Sequence, residues 1–134
     1  MISVEVMLET QFYDLDPMGV VWHGNYVRFF EQARCRLLDK IGYGYAEMEA
    51  SGYVWPVVDM QIKYVGPLKF PQQFKVTSSI VESDNYLKIS YIVSDLNGVT
   101  LTKASTTQVA VHSSTGELCL ESPQTLTDKI RENS

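Results

Sequence analysis

The segment Asn25-Tyr26-Val27-Arg28-Phe29-Phe30-Glu31-Gln32-Ala33-Arg34-Cys35-Arg36-Leu37-Leu38-Asp39-Lys40-Ile41-Gly42 decides the fold. Tyr26, Phe29, Phe30, Ala33, Leu37 and Ile41 recur at steps of three and four. That spacing puts them on one face of an α-helix. Arg28, Glu31, Gln32, Arg34, Asp39 and Lys40 occupy other positions. Asn25 suits an N-cap, and Gly42 suits the first position past the C-terminus. The pattern predicts a helix of about four to five turns whose apolar face must be covered. Cys35 lies off that face and reads as a small packing residue rather than a nucleophile.

On the N-terminal side, Ile2, Val4, Val6 and Leu8 alternate with polar residues, a half-buried strand. An irregular segment from Thr10 to Gly24 separates the strand from the helix. On the C-terminal side a shorter helix is expected from Tyr45 to Ala50, ending near Gly52. Strands follow. Val58, Met60, Ile62 and Tyr64 alternate up to a stop at Gly66-Pro67, and Phe74, Val76 and Ile80 form the next set. Leu87, Ile89, Tyr91 and Val93 come next, with Asn97-Gly98 as a hairpin turn. The run from Val99 to His112, rich in Thr and Val, reads as one long strand, broken by Ser113, Ser114 and Gly116. The polar tail from about Thr127 should fray or form a short surface helix. One strand, one long helix and then about four strands make an α+β domain over residues 1–134. The helix is best covered by a curved antiparallel sheet of about five strands wrapped around it. Such a sheet leaves an edge strand exposed, which favours pairing between copies.

The bulk numbers exclude several function classes. The chain has 134 residues, 20% of them charged, and a net charge of −5. No run of five Lys or Arg exists, which argues against a nucleic-acid binder. No apolar stretch approaches the roughly 18 residues of a membrane span. The start, Met1-Ile2-Ser3-Val4-Glu5-Val6, lacks a basic segment followed by an apolar one, so a cytoplasmic location is expected. Cys35 and Cys119 allow a disulfide without implying one, and they lack zinc-finger spacing. With only His23 and His112, no multi-histidine metal site can be built within one chain. There is no Gly-x-Ser-x-Gly elbow, P-loop, Gly-x-Gly-x-x-Gly or His-Glu-x-x-His. No metal and no cofactor are therefore expected.

The chemistry concentrates in Asp16-Pro17-Met18-Gly19-Val20-Val21-Trp22-His23-Gly24-Asn25-Tyr26, an acidic loop running into the long helix. A helix N-terminus presents unpaired N–H groups that can hold a carbonyl oxygen gaining negative charge. Gly24 removes side-chain bulk where a substrate would approach the backbone. Asp16, seven residues before His23, could be brought to the other side of that carbonyl. A carboxylate beside an oxyanion site is what acyl transfer needs.

This stretch resembles the signature of the 4-hydroxybenzoyl-CoA thioesterase family, especially its YbgC-like acyl-CoA thioesterase branch. The matching residues are Asp16, Gly19, Val21, Trp22, His23, Asn25 and Tyr26, then Phe29-Phe30-Glu31 and Arg34, and later Gln61-Ile62-Lys63-Tyr64 with Pro67. The resemblance covers nearly the whole chain. It implies a hotdog fold, sites at a subunit interface in a homodimer or homotetramer, and metal-free hydrolysis of an acyl-CoA thioester. The same chemistry could serve an acyl carrier protein. It implies Asp16 as the catalytic carboxylate, the His23 amide as the group polarising the carbonyl, and a role for the His23 side chain. Gly24, Asn25 and Tyr26 become candidate substrate contacts. Some relatives carry a tyrosine four residues before the aspartate, where this chain has Phe12.

Simpler readings stand beside these. Asp before Pro is a common turn former. Asp14 reads as structural or solvated. Asn25 is first a helix cap, and Tyr26, Phe29 and Phe30 are first core residues. Glu31 could support the site or pair with Arg34. Lys63, Lys88 and Lys103 could meet a CoA phosphate or remain solvated. The competing function is a non-catalytic acyl-CoA or acyl-carrier binding module on the same fold. A hotdog dehydratase is a third reading, with less in the sequence to carry it.

Overall fold

The computed structural model describes residues 1–134. In chain order it contains β1 (Ser3–Glu9), α1 (Tyr26–Lys40), α2 (Tyr45–Ser51), β2 (Tyr53–Val54), β3 (Val57–Tyr64), β4 (Gln73–Glu82), β5 (Leu87–Ser94), β6 (Thr100–Gln108), β7 (Val111–His112) and α3 (Gln124–Glu132). Five strands form one antiparallel sheet in the order β1-β4-β5-β6-β3. This is the hotdog arrangement, a sheet wrapped round one long helix.

The helix is held by the face its sequence pattern marked. Tyr26, Phe29, Phe30, Ala33, Leu37 and Ile41 are all buried. Phe29 meets Phe74 of β4 and Phe30 meets Tyr91 of β5, each with ring centroids 4.9 Å apart. Ala33 leaves room for close approach, and Ser78 Oγ of β4 donates to its carbonyl at 3.4 Å. Gly42, at φ +75°, ends α1 in the left-handed conformation glycine adopts without penalty. The N–H of Gly42 reaches Asp39 O at 3.0 Å, and that of Tyr43 reaches Leu38 O at 3.0 Å.

Three local expectations change, and a fourth is decided. The Thr- and Val-rich run is not one strand. It breaks after Gln108, where Val109 N–H turns to Pro56 O at 3.3 Å, and Val111–His112 pairs with Tyr53–Val54 instead. Of the two forms expected for the tail, it takes the helix, α3, and that helix is docked rather than purely superficial. Leu126 of α3 is fully buried and Asn133 Nδ2 donates to Ile41 O at 3.2 Å. Cys35 is exposed, not packed, and both cysteines are free thiols. Asn25 precedes α1 but does not cap it, because its backbone is already helical and its side chain makes no cap bond.

The edge strand β3 keeps one side of its backbone unpaired. Exposed Val57, Val58 and Tyr64 lie along it. No helix is long and apolar enough to cross a membrane.

Candidate active site

Two aspartates two residues apart take opposite roles. Asp14 is almost wholly buried, 1% exposed. Its carboxylate accepts from Arg28 Nη2 at 2.5 Å and from Gln11 N–H at 2.8 Å. Its carbonyl accepts from Asn25 Nδ2 at 2.8 Å and from Trp22 N–H at 2.9 Å. Asp14 therefore clamps the loop to the start of α1, and Asn25 serves that clamp.

Asp16 is only partly buried. Its Oδ1 accepts from Met18 N–H at 2.8 Å, the turn that Asp-Pro favours. Gly19 N–H reaches Asp16 O at 3.0 Å, with Gly19 at φ +79°. The turn closes through Asp16 N–H to Val20 O at 2.9 Å. Only one carboxylate oxygen is spent on the turn. The residue borders a groove of about 290 Å³, with Met18, His23, Tyr26, Tyr64 and Pro67 among its walls.

The helix begins with a single tight turn, His23–Asn25, that runs into Tyr26. Asn25 N–H is used by Trp22 O at 2.9 Å, whereas no carbonyl takes the N–H of His23 or Gly24. Two free amides therefore stand at the N-terminus of α1, where the helix dipole favours negative charge. The structure brings Asp16, His23 and Tyr26 to one groove. It does not bring Gly24 or Asn25 into its walls. A Cβ on Gly24 would lie 2.4 Å from the Trp22 ring, so that glycine makes room for an indole rather than for substrate.

Tyr64 is the wall residue that sequence reasoning placed only on a strand. Its hydroxyl donates to His23 O at 2.7 Å and pins the turn that presents the free amides. Its ring packs edge-on against Tyr26 at 5.1 Å and His23 at 6.2 Å. Burial raises the Tyr64 pKa. Burial raises that of Tyr26 too, opposed by the Leu68 backbone N–H and the Thr102 hydroxyl. Both phenols stay protonated near neutral pH. The alternation Met60-Ile62-Tyr64 was the available signal, since it puts Tyr64 on the helix side of the sheet. Tyr64→Phe is expected to lower kcat/KM between about twofold and tenfold, the worth of one net hydrogen bond. Stability should fall by less than about 1.5 kcal/mol, measured by urea unfolding beside steady-state kinetics.

A second cavity, of about 620 Å³, lies between α1, α2 and the segment leading into β3. Arg34, Leu38, Met48, Trp55 and Gln108 line it, together with Glu31, which is ion-paired with Arg34. Gln108 Nε2 donates to Trp55 O at 2.8 Å.

Comparison with known proteins bears on this geometry. The profile of the Thioesterase-like superfamily matches residues 10–128, a span that includes the Asp16 loop, α1 and the sheet from β3 to β6. The chain belongs to that superfamily. It is 34% identical over 84 residues to YneP of Bacillus subtilis, covering 63% of this chain and 60% of that one. It is 28% identical over 69 residues to the acyl-CoA thioester hydrolase YbgC of Escherichia coli, covering 52% of each. These alignments span a little over half the length of either relative. Among solved structures, the DHNA-CoA thioesterase of Staphylococcus aureus superposes with a TM-score of 0.81 at 29% identity, covering 90% of this chain and 81% of that one. Membership in this superfamily, with its YbgC-like relatives, agrees with the resemblance carried by the Asp16 loop.

Proposed function

We propose that the protein hydrolyses acyl-CoA thioesters to a free acid and a thiol. The observation that carries this reading is Asp16, with one oxygen uncommitted, on the same groove as His23, whose N–H is unpaired. The His23 amide holds the thioester oxygen as it gains charge. Asp16 either takes a proton from water or attacks the carbonyl carbon to form a mixed anhydride. The thiolate leaves as the tetrahedral intermediate collapses, and water supplies the second carboxylate oxygen of the acid. The His23 side chain borders the groove and positions the thioester or the attacking water.

The working form is a homo-oligomer, a homodimer or homotetramer, built on β3. Antiparallel pairing of two β3 edges would set the Tyr64 end of one copy beside the Val57 end of the other. The Asp16 groove of one copy would then neighbour the cavity at Trp55 of its partner, which has room for an acyl group. The names of the relatives support both acyl-CoA and acyl carrier protein as thiol carriers, since one set of relatives, at 30% identity, is named for acyl-acyl carrier protein.

The test is thiol release from a panel of short, long and aromatic acyl-CoAs by the purified oligomer. Turnover of at least one member is expected. Tight binding without turnover across the panel would replace this reading with the binding-module one. A single turnover in heavy-oxygen water separates the two roles of Asp16. Label recovered in the Asp16 carboxylate requires the anhydride.

A further inference from the structure

The convex face of the sheet holds a charge arrangement that the Asp16 groove does not use. Lys63 of β3 and Lys103 of β6 stand directly opposite one another in register. Both are exposed, and neither joins an ion pair. Side chains so placed have Cβ atoms about 4.5–5.5 Å apart, and like charges there are destabilising.

Within one copy the rest of the face offers no relief. Asp59, on the same side of β3, lies four residues back, about 13 Å along the strand. Its carboxylate already accepts from Gln61 Nε2 at 3.4 Å. Glu5 shares the row of the two lysines but sits on the far edge of the sheet, paired with Lys75 at 3.4 Å. A lysine on an edge strand can guard against unwanted pairing, which would account for Lys63. It does not account for Lys103, whose strand is paired on both sides. In a chain with net charge −5, two cations held together without a counter-ion from their own copy mark a place that an anion would stabilise. Gln61 and Ser105, also directly opposite one another, add neutral donors, and the four residues border a shallow groove of about 280 Å³.

The position of this pair suggests which anion. Lys63 and Tyr64 are consecutive on a strand and so face opposite sides of the sheet. Tyr64, Val65, Gly66 and Pro67 wall the Asp16 groove. The lysine pair is thus just across the end of β3 from the carbonyl site. A long ligand with an electrophilic carbonyl at one end and phosphates at the other can lie round that end.

We propose that Lys63 and Lys103 hold the nucleotide phosphates of the coenzyme A thioester, an inference that rests on the thioesterase reading above. It selects coenzyme A over a carrier protein. Coenzyme A brings a diphosphate and a 3′-phosphate to this point, whereas a carrier brings a single phosphodiester joined to its own surface. A carrier would need a broad basic face, and here there are two cations in a small groove.

The experiment compares wild type with the double variant Lys63→Gln/Lys103→Gln. The readouts are steady-state kinetics on an acyl-CoA, on the matching acyl-pantetheine and on the matching acyl carrier protein, and calorimetric binding of adenosine 3′,5′-bisphosphate. The ratio of kcat/KM for acyl-CoA to that for acyl-pantetheine should fall about tenfold or more, as expected for losing charge-assisted contacts. Bisphosphate binding should weaken in parallel, and Lys63→Arg/Lys103→Arg should restore both. An unchanged ratio with unchanged nucleotide affinity would overturn the assignment. So would an equal loss on both substrates, which is the mark of structural damage. If the double variant instead loses only turnover of an acyl carrier protein, the carrier is the occupant and coenzyme A is not. Should wild type fail to hydrolyse any thioester, loss of bisphosphate binding in the variant would still support the phosphate site while the thioesterase reading fell.

Discussion

Asp16→Asn is expected to lower kcat for thioester hydrolysis by at least about 10²-fold, the usual worth of a general base. The substitution is chosen for what it retains. Asn keeps a carbonyl oxygen where Asp16 Oδ1 accepts from Met18 N–H, so the turn that carries the residue survives. It removes the negative charge and the basic oxygen that remains uncommitted. A partly exposed site at a loop tolerates this exchange, and stability should change by no more than about 0.5 kcal/mol. Thiol release by wild type and variant, beside urea unfolding of both, makes the comparison. A variant that turns over like wild type removes Asp16 from the chemistry. A variant that loses both activity and stability shows that the turn, not the base, has been tested.

Phe30→Ala is expected to destabilise the fold by about 3–5 kcal/mol, a large share of the roughly 5–15 kcal/mol that holds a domain together. Phe30 is 1% exposed and stands where helix and sheet meet. Its ring lies 4.9 Å from that of Tyr91 and 6.5 Å from that of Tyr26. Truncation leaves a void that two large aromatic neighbours cannot easily fill. The urea midpoint should fall with little change in slope. A loss below about 1.5 kcal/mol would mean that the α1–sheet contact is not the core of this domain.

The parts of this molecule that obey local periodicity were legible from sequence. The long helix was, because six apolar residues at helical spacing have one arrangement that buries them all. So were the alternating strands and the glycine that ends α1. The break after Gln108 was not. Thr and Val favour a strand throughout that run, and only the pairing of Val111 and His112 with β2 interrupts it. The site divides the same way. Asp16 and His23, which border one groove, could be picked out as candidates because they sit in a specific motif. Which of two nearby aspartates is buried could not, because that depends on where Arg28 projects from the helix. The partner of Gly24 was also hidden, since a glycine in sequence says only that something comes close. Lys63 and Lys103 are 40 residues apart in the chain, and their opposition appears only once the β3–β6 register is known.

The strand order has a consequence for how the chain is made. β1 pairs with β4 and with no other strand of the sheet. On the ribosome β1 is finished well before β4 begins, because Gln73, the partner of Glu9, is roughly 60 residues further on; at about 5–20 residues per second the gap is several seconds. Throughout that interval Ile2, Val4, Val6 and Leu8 have no sheet to join. A nascent chain of this protein therefore spends seconds with an apolar strand synthesised and its sheet partner still missing.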